Sequence, residues 1–309
     1  MISYAVLFPG QGSQAVGMGA ELFDERPDLL NERAEAILGW SLADLVLEGP
    51  EEELTRTDNA QPALFAIAYT LWEELAAAIA HPPRAAAGHS LGEYTALVAA
   101  EALSFDDGLR LVSARGRAMG DAAHAAASGM AALLGADLGQ AEAVCSKRRD
   151  DGGSLWVANV NSPSQIVVAG GASDIEWLTA NAGDLGIRRA IPLKVAGAFH
   201  SPFMEPAAEA LGAALGGMTF VDPMFPVYAN TTARPMIDVR EQLAQQLTSP
   251  VLFAESLQAM SSDGVQVFVH VGPGDVTAGL VKRTVPDAEV LVVSSLHDIP
   301  AAAERLSVQ

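Results

Sequence analysis

The stretch Gly88-His-Ser90-Leu-Gly92 places a serine between two glycines and runs directly into an apolar helical pattern, "GHSLGEYTALVAAEAL". Small residues at this spacing suit a strand-turn-helix elbow, in which a tight turn lifts a serine hydroxyl out of a sheet into a cleft. Backbone amides and the helix dipole at such a turn favour developing negative charge, as acyl transfer requires. A serine hydroxyl is a weak nucleophile until a base takes its proton, so a base must come from elsewhere in the chain.

Six histidines are available. His89 adjoins Ser90, and its side chain should diverge from that of Ser90 into packing. His81, His124 and His297 lie at helix ends or near the C-terminus and read as solvated. His270 continues the apolar run "VFVHVGPG" and either packs or lines a cleft at the end of a strand. His200, in "KVAGAFHSPFM", lies in an irregular segment bracketed by Gly197 and Pro202, where a side chain can be presented; it reads either as the base or as structural. Helical spacing in "GLRLVSARGRAMG" puts Val112, Arg115 and Met119 on one stripe and Arg110, Ser113 and Arg117 towards another face. Arg115 therefore points inward. A buried guanidinium needs an anionic partner, either a substrate carboxylate or phosphate, or an internal Asp or Glu.

The first turn, "FPGQGSQAVGMG", formally satisfies a dinucleotide fingerprint at Gly10, Gly12 and Ala15. The context fails, because "PDLLNERAEAIL" is charged at helical intervals where a second strand ending in an acid is needed. Its amides are better used as oxyanion donors beside Ser90. Cys145 stands alone, which excludes an internal disulfide and a cysteine metal cluster, and "EAVCSKRRD" places it on the apolar side of a helix.

These groups need a scaffold. With 309 residues, half of them hydrophobic, the chain can bury a large core. The apolar start before Pro9 reads as a first strand rather than a signal peptide, and no stretch approaches the ~20 apolar residues that cross a bilayer. A soluble, cytoplasmic protein is expected. The formal charge of −20, from 38 acidic and 18 basic residues, argues against nucleic acid as a partner. Any anionic partner must meet a local basic cluster: "IRRAIPLK" and "VKRT" are candidates, whereas "SKRRD" reads as a solvated helix end.

Along the chain, strand "YAVLFPG" precedes helical segments around 19–38 and 61–80. "AAA" at 85–87, between Pro82-Pro83 and Gly88, reads as a short buried strand leading into the elbow. Residues 125–194 follow the order strand, helix, strand, strand, helix, strand, that of a ferredoxin-like unit inserted into a larger α/β domain made of residues 1–124 and 195–309. "FPVYANT" and "VQVFVHVGPG" supply further parallel strands.

The ordered motifs "FPGQGSQ", "QPAL", "GHSLGEY", "NVNSPSQIVVAG", "GAFHSPFM", "QQLTSPV" and "VGPG" resemble those of the malonyl-CoA:acyl carrier protein transacylase family. The resemblance implies a hydrolase-like α/β domain with a parallel sheet, interrupted by a ferredoxin-like subdomain. It implies Ser90 as nucleophile, His200 as base, the amides of Gln11 and Leu91 as oxyanion hole and Arg115 as clamp for a malonyl carboxylate. Gln246 would orient the histidine through its backbone carbonyl, and Phe199 would close the space beside the malonyl C2 carbon. The implied partners are malonyl-CoA and an acyl carrier protein that brings its own phosphopantetheine, with no metal, no other cofactor and a monomeric chain. Two positions depart from the family's habit: Gly120, where Gln is common, and Ala196, where Ser is common. A serine hydrolase or thioesterase, and a non-catalytic carrier-binding subunit, are the alternatives. The first normally supplies a triad acid, and the second has no use for Ser90, Arg115 and His200 together.

Overall fold

A computed structural model describes residues 2–307. Five strands form a wholly parallel sheet: β1 (Tyr4–Phe8), β2 (Ala85–Gly88), β7 (Val227–Tyr228), β8 (Val267–Val271) and β9 (Glu289–Val293), in the order β7-β2-β1-β8-β9. Strands covered on both faces read as unbroken apolar runs, and every residue of β1 is buried. Helices Thr57–Ala78, Gly92–Ala99 and Phe105–Ala125 pack with this sheet into the main hydrophobic core.

The expected strand in "FPVYANT" is only two residues long, because the chain turns away after Tyr228 to place Asn230 beneath the elbow. The edge strand β9 is formed by "EVLVV", an apolar run too short to stand out in the sequence.

β3 (Ser128–Leu134), β4 (Leu155–Ser162), β5 (Gln165–Gly171) and β6 (Arg189–Pro192) form an antiparallel sheet in the order β4-β5-β3-β6. Helices Leu138–Asp150 and Ala172–Asn181 connect its strands and share a second apolar cluster. Met130, Ala158, Val167 and Ala169, from β3, β4 and β5, join the main core instead. A parallel bridge ties β4 to the body of the protein: Val160 N donates to Val251 O at 2.8 Å and Val251 N to Ala158 O at 2.9 Å. The antiparallel sheet thereby forms one wall over the C-terminal ends of β1 and β2, where ligands of open α/β sheets bind.

The two glycines of the elbow are enforced by contact. A Cβ on Gly88 would lie 1.8 Å from the Gly92 carbonyl carbon, and one on Gly92 would lie 2.3 Å from Phe8 O. Strand, turn and helix therefore close to a spacing that no side chain fits. In register, Phe8 sits beside Gly88, so the Gly-rich turn after β1 and the elbow after β2 open side by side.

Candidate active site

Ser90 and His200, 110 residues apart, meet at 2.8 Å between Oγ and Nε2. Both adopt left-handed backbone conformations, with φ of 51° and 56°, a strained state for residues with a Cβ that surrounding contacts must maintain. For Ser90 those contacts come from Asn230. Its Oδ1 accepts from Ser90 N at 2.8 Å, and its Nδ2 donates to Gly88 O at 2.7 Å. For His200 the partner is Gln246, whose backbone carbonyl accepts from Nδ1–H at 3.0 Å. With Nδ1 so engaged as donor, Nε2 is left as the proton acceptor facing Ser90. Burial, and secondarily the nearby Arg115, push the His200 pKa down to about 3, so the imidazole is neutral.

Arg115 points inward as its helical stripe requires and is 1% exposed. No carboxylate pairs with it among the described residues. Its Nη1 donates to Gln61 Oε1 at 2.7 Å, and its Nη2 to Gln246 Oε1 and Ser90 Oγ, each at 2.9 Å. Its Nε has no partner, and its guanidinium carbon lies 5.5 Å from the centre of the Tyr94 ring. The internal ion pair left open by the sequence is therefore not made by direct contact, and burial lowers the guanidinium's pKa.

These groups open into a cavity of about 230 Å³ whose wall includes Gln11, Leu91, Met119 and Phe199. Neither the Gln11 nor the Leu91 backbone N–H has a protein acceptor among the described residues. The end of the pocket near the departure at Gly120 is defined by Met119. Gly120 itself lies off the cavity, and a Cβ there would meet nothing within 4 Å.

His89 packs as expected, its ring edge-on to Phe253, and the residue also borders the cavity, its Nε2 2.7 Å from Asn161 Oδ1 of β4. His270 is fully buried and held by Thr277 and Gly272 away from the cavity. His124 and His297 are exposed, whereas His81 is half-buried against Tyr4. The "SKRRD" helix end is less free than expected, because Arg148 pairs with the buried Asp174 at 2.6 Å.

The site also contains Glu93, Asn230 and Gln61, which sequence reasoning does not single out. Glu93 carries a signal: it is a lone acid inside the apolar helix "GEYTALVA", and such an acid must be partnered. It is 1% exposed, receives Asn230 N at 2.6 Å and Gln246 Nε2, and burial pushes its carboxyl up to about 8. Among the described residues no group of His, Cys, Asp and Glu is placed to hold a metal ion, and no helix is long and apolar enough to cross a membrane.

A family model described as the acyl transferase domain matches residues 6–301. The malonyl CoA-acyl carrier protein transacylase of Bacillus subtilis is 42% identical, over 99% of this chain and 98% of its own length. The solved malonyl CoA-acyl carrier protein transacylase of Coxiella burnetii superposes with a TM-score of 0.94 at 33% identity, covering 99% and 98% of the two chains. A malonyl-transacylase solved with its type II polyketide synthase acyl-carrier protein superposes with a TM-score of 0.93 at 35% identity, covering 98% and 99%. On a match of that length and relatives at that identity, the chain belongs to the malonyl CoA-acyl carrier protein transacylase family, a family of acyltransferases.

Proposed function

We propose that the protein transfers a malonyl group from malonyl-CoA to the phosphopantetheine thiol of an acyl carrier protein through a malonyl ester on Ser90. The observation that carries this reading is the pairing of a nucleophile with an anion clamp. Ser90 Oγ is shared between the neutral base His200 and the buried guanidinium of Arg115, which has no carboxylate of its own.

Ser90 Oγ attacks the thioester carbon as its proton passes to His200 Nε2. The tetrahedral oxyanion is held by the N–H groups of Gln11 and Leu91, donors worth about 3 kcal/mol each in sites of this kind. The C–S bond then breaks, and CoA leaves as a thiol with the proton from His200. The carrier's thiol repeats the steps in reverse order, giving its proton to His200 and attacking the Ser90 ester. Arg115 takes the malonyl carboxylate, and Phe199 closes the space beside its C2 carbon. Gln246 fixes the imidazole through its carbonyl, so no triad acid touches the histidine, which speaks against the hydrolase alternative. Residues 125–194 serve as the subdomain that roofs the site, and residues 1–124 with 195–309 as the catalytic body. The acceptor, by likeness to the relatives' names, belongs to fatty acid or polyketide synthesis.

Incubation with malonyl-CoA followed by intact mass measurement tests the reading. One malonyl adduct on Ser90, discharged by a holo carrier protein rather than by water, is the expected result. An unmodified enzyme that still transfers, or release of mainly free malonate, would refute it.

A further inference from the structure

The amide of Gln246 stands between the guanidinium of Arg115 and the carboxylate of Glu93. Its Oε1 accepts from Arg115 Nη2 at 2.9 Å, while its Nε2 donates to Glu93 Oε2 and, at 3.0 Å, to Ser90 O. Its neighbours fix that orientation. Turned over, the amide would set oxygen against the oxygens of Ser90 and Glu93, and N–H against the guanidinium. The other carboxylate oxygen of Glu93 takes the Asn230 N–H at 2.6 Å, and Asn230 in turn clasps the elbow through Ser90 N and Gly88 O. Because the Gln246 main-chain carbonyl also holds His200 Nδ1, the nucleophile, the base and the clamp are all tied to Glu93 through its two hydrogen-bonding neighbours.

The arrangement meets two opposed demands on Arg115. A guanidinium this deeply buried requires a counter-charge nearby. A carboxylate in direct contact would fill the fork and leave nothing for a substrate. Both Glu93 oxygens accept N–H groups, the pattern of a carboxylate, so with the amide interposed the charge that burial opposes is held one side chain away from Arg115, whose Nη groups contact only the neutral acceptors Gln61, Gln246 and Ser90.

We infer that Glu93 is a positioning residue that determines acyl specificity: through Gln246 it leaves the Arg115 fork on neutral acceptors that a substrate carboxylate can displace, while keeping the Gln246 carbonyl on His200. This rests on Arg115 being the acyl clamp. Burial opposes the charge of Glu93, and Asn230, Gln246 and Arg115 favour it, so its ionisation depends on the same three neighbours that it orders.

The test uses the full chain carrying Glu93→Gln. A glutamine amide there faces donors on both sides, from Asn230 N and Gln246 Nε2, so the Gln246 amide must turn and present N–H to Arg115. Rates of Ser90 acylation are measured with malonyl-CoA and acetyl-CoA. The malonyl-to-acetyl ratio of kcat/KM should fall about tenfold or more, the scale for a lost hydrogen bond to a charged group. Glu93→Asp, which keeps the charge but falls short of Gln246, should lower the ratio in the same direction, and it decides the matter where the Gln variant does not fold. Equal losses for both donors, an unchanged ratio in either folded variant, or loss of fold in both would make Glu93 a residue of the fold and overturn the inference. A wild-type enzyme that takes no malonyl group would instead refute the reading of the site on which this one rests.

Discussion

Arg115 donates to the very oxygen of Ser90 that His200 faces, at 2.9 Å from Nη2 to Oγ. The proposed clamp thus rests on the proposed nucleophile, and the Arg115 Nε is unsatisfied. A bidentate carboxylate would take over the donors, an arrangement that neither lysine nor an acetyl group can reproduce. Arg115→Ala should therefore cut Ser90 acylation by malonyl-CoA by about 10³-fold or more, the scale seen where a site is built around a buried polar partner. Acetyl transfer should be spared or raised. If the variant still preferred malonyl over acetyl, Arg115 would be structural.

Phe199 is expected to discriminate more weakly. It is 6% exposed on the cavity wall next to His200, and a methyl group in such a pocket is worth about 1–3 kcal/mol. Phe199→Ser should admit methylmalonyl-CoA, read as its kcat/KM relative to malonyl-CoA; an unchanged ratio would place the selecting surface elsewhere.

The acid limb of activity should lie far below the usual histidine range. Burial first, and Arg115 second, hold His200 near a pKa of about 3 against an ordinary 6.5. His200 thus stays neutral through the usual histidine range, so, with His200 as the proposed base, kcat/KM for malonyl transfer should show no inflection near pH 6.5. The same shift bears on stability. The unfolded chain binds a proton near pH 6.5 that the folded chain refuses until about pH 3, so this contribution is whole above 6.5 and is lost as pH falls through that window. Replacing His200 with Gln should flatten that part of a melting-temperature profile, and an identical profile in the variant would count against the shift.

The elbow, the inward Arg115 and the strand-helix order of residues 125–194 are legible in the sequence because each rests on local spacing: small residues where chains touch, apolar positions at 3.6 or alternating intervals. What is not legible depends on distant partners. Glu93 announces only that it must be satisfied, and nothing near it says that Asn230 and Gln246 arrive from 137 and 153 positions away. His89 packs as its place in the chain suggests, but the partner of its ring nitrogen, Asn161 on β4, is hidden for the same reason. β9 is hard to read because an edge run of five residues carries little pattern of its own.

Gly88 gives a stability test of the elbow. With the Gly92 carbonyl carbon only 1.8 Å from the place a Cβ would take, Gly88→Ala must push strand and helix apart, and overpacking of this kind costs at least about 1–3 kcal/mol. Both a lower melting temperature and loss of Ser90 acylation are expected; a variant as stable as the parent would contradict the close approach.

Cys145 should be chemically silent. It is 1% exposed on the helix Leu138–Asp150, and burial pushes its thiol up to about 12, so little thiolate forms at neutral pH. Cys145→Ser should retain malonyl transfer and Ser90→Ala abolish it. A thiol-blocking reagent that inactivated the native enzyme would assign Cys145 a part in the chemistry.

Docking of an acidic carrier protein has to work against a formal charge of −20. Arg188, Arg189, Lys194, Lys282 and Arg283 are exposed, and none forms an ion pair with a carboxylate among the described residues. Lys194 lines the cavity, and Arg283 donates to Gln165, another cavity residue, at 3.0 Å. By contrast Arg26, Arg33, Arg56, Arg110, Arg148 and Arg305 are already paired within the chain. Lys194 and Arg283 are thus unpaired cations beside the cavity that can steer an acidic partner, and exposed charges of this kind act over about 8 Å at physiological salt. Charge reversal at Arg188, Arg189, Lys282 and Arg283 should raise the apparent KM for the carrier and weaken its dependence on ionic strength, while acylation by malonyl-CoA alone stays within a few-fold of the parent; reversal at Lys194, which lines the cavity, should slow acylation as well. A carrier KM unchanged by reversal at all five positions would mean that docking uses another face.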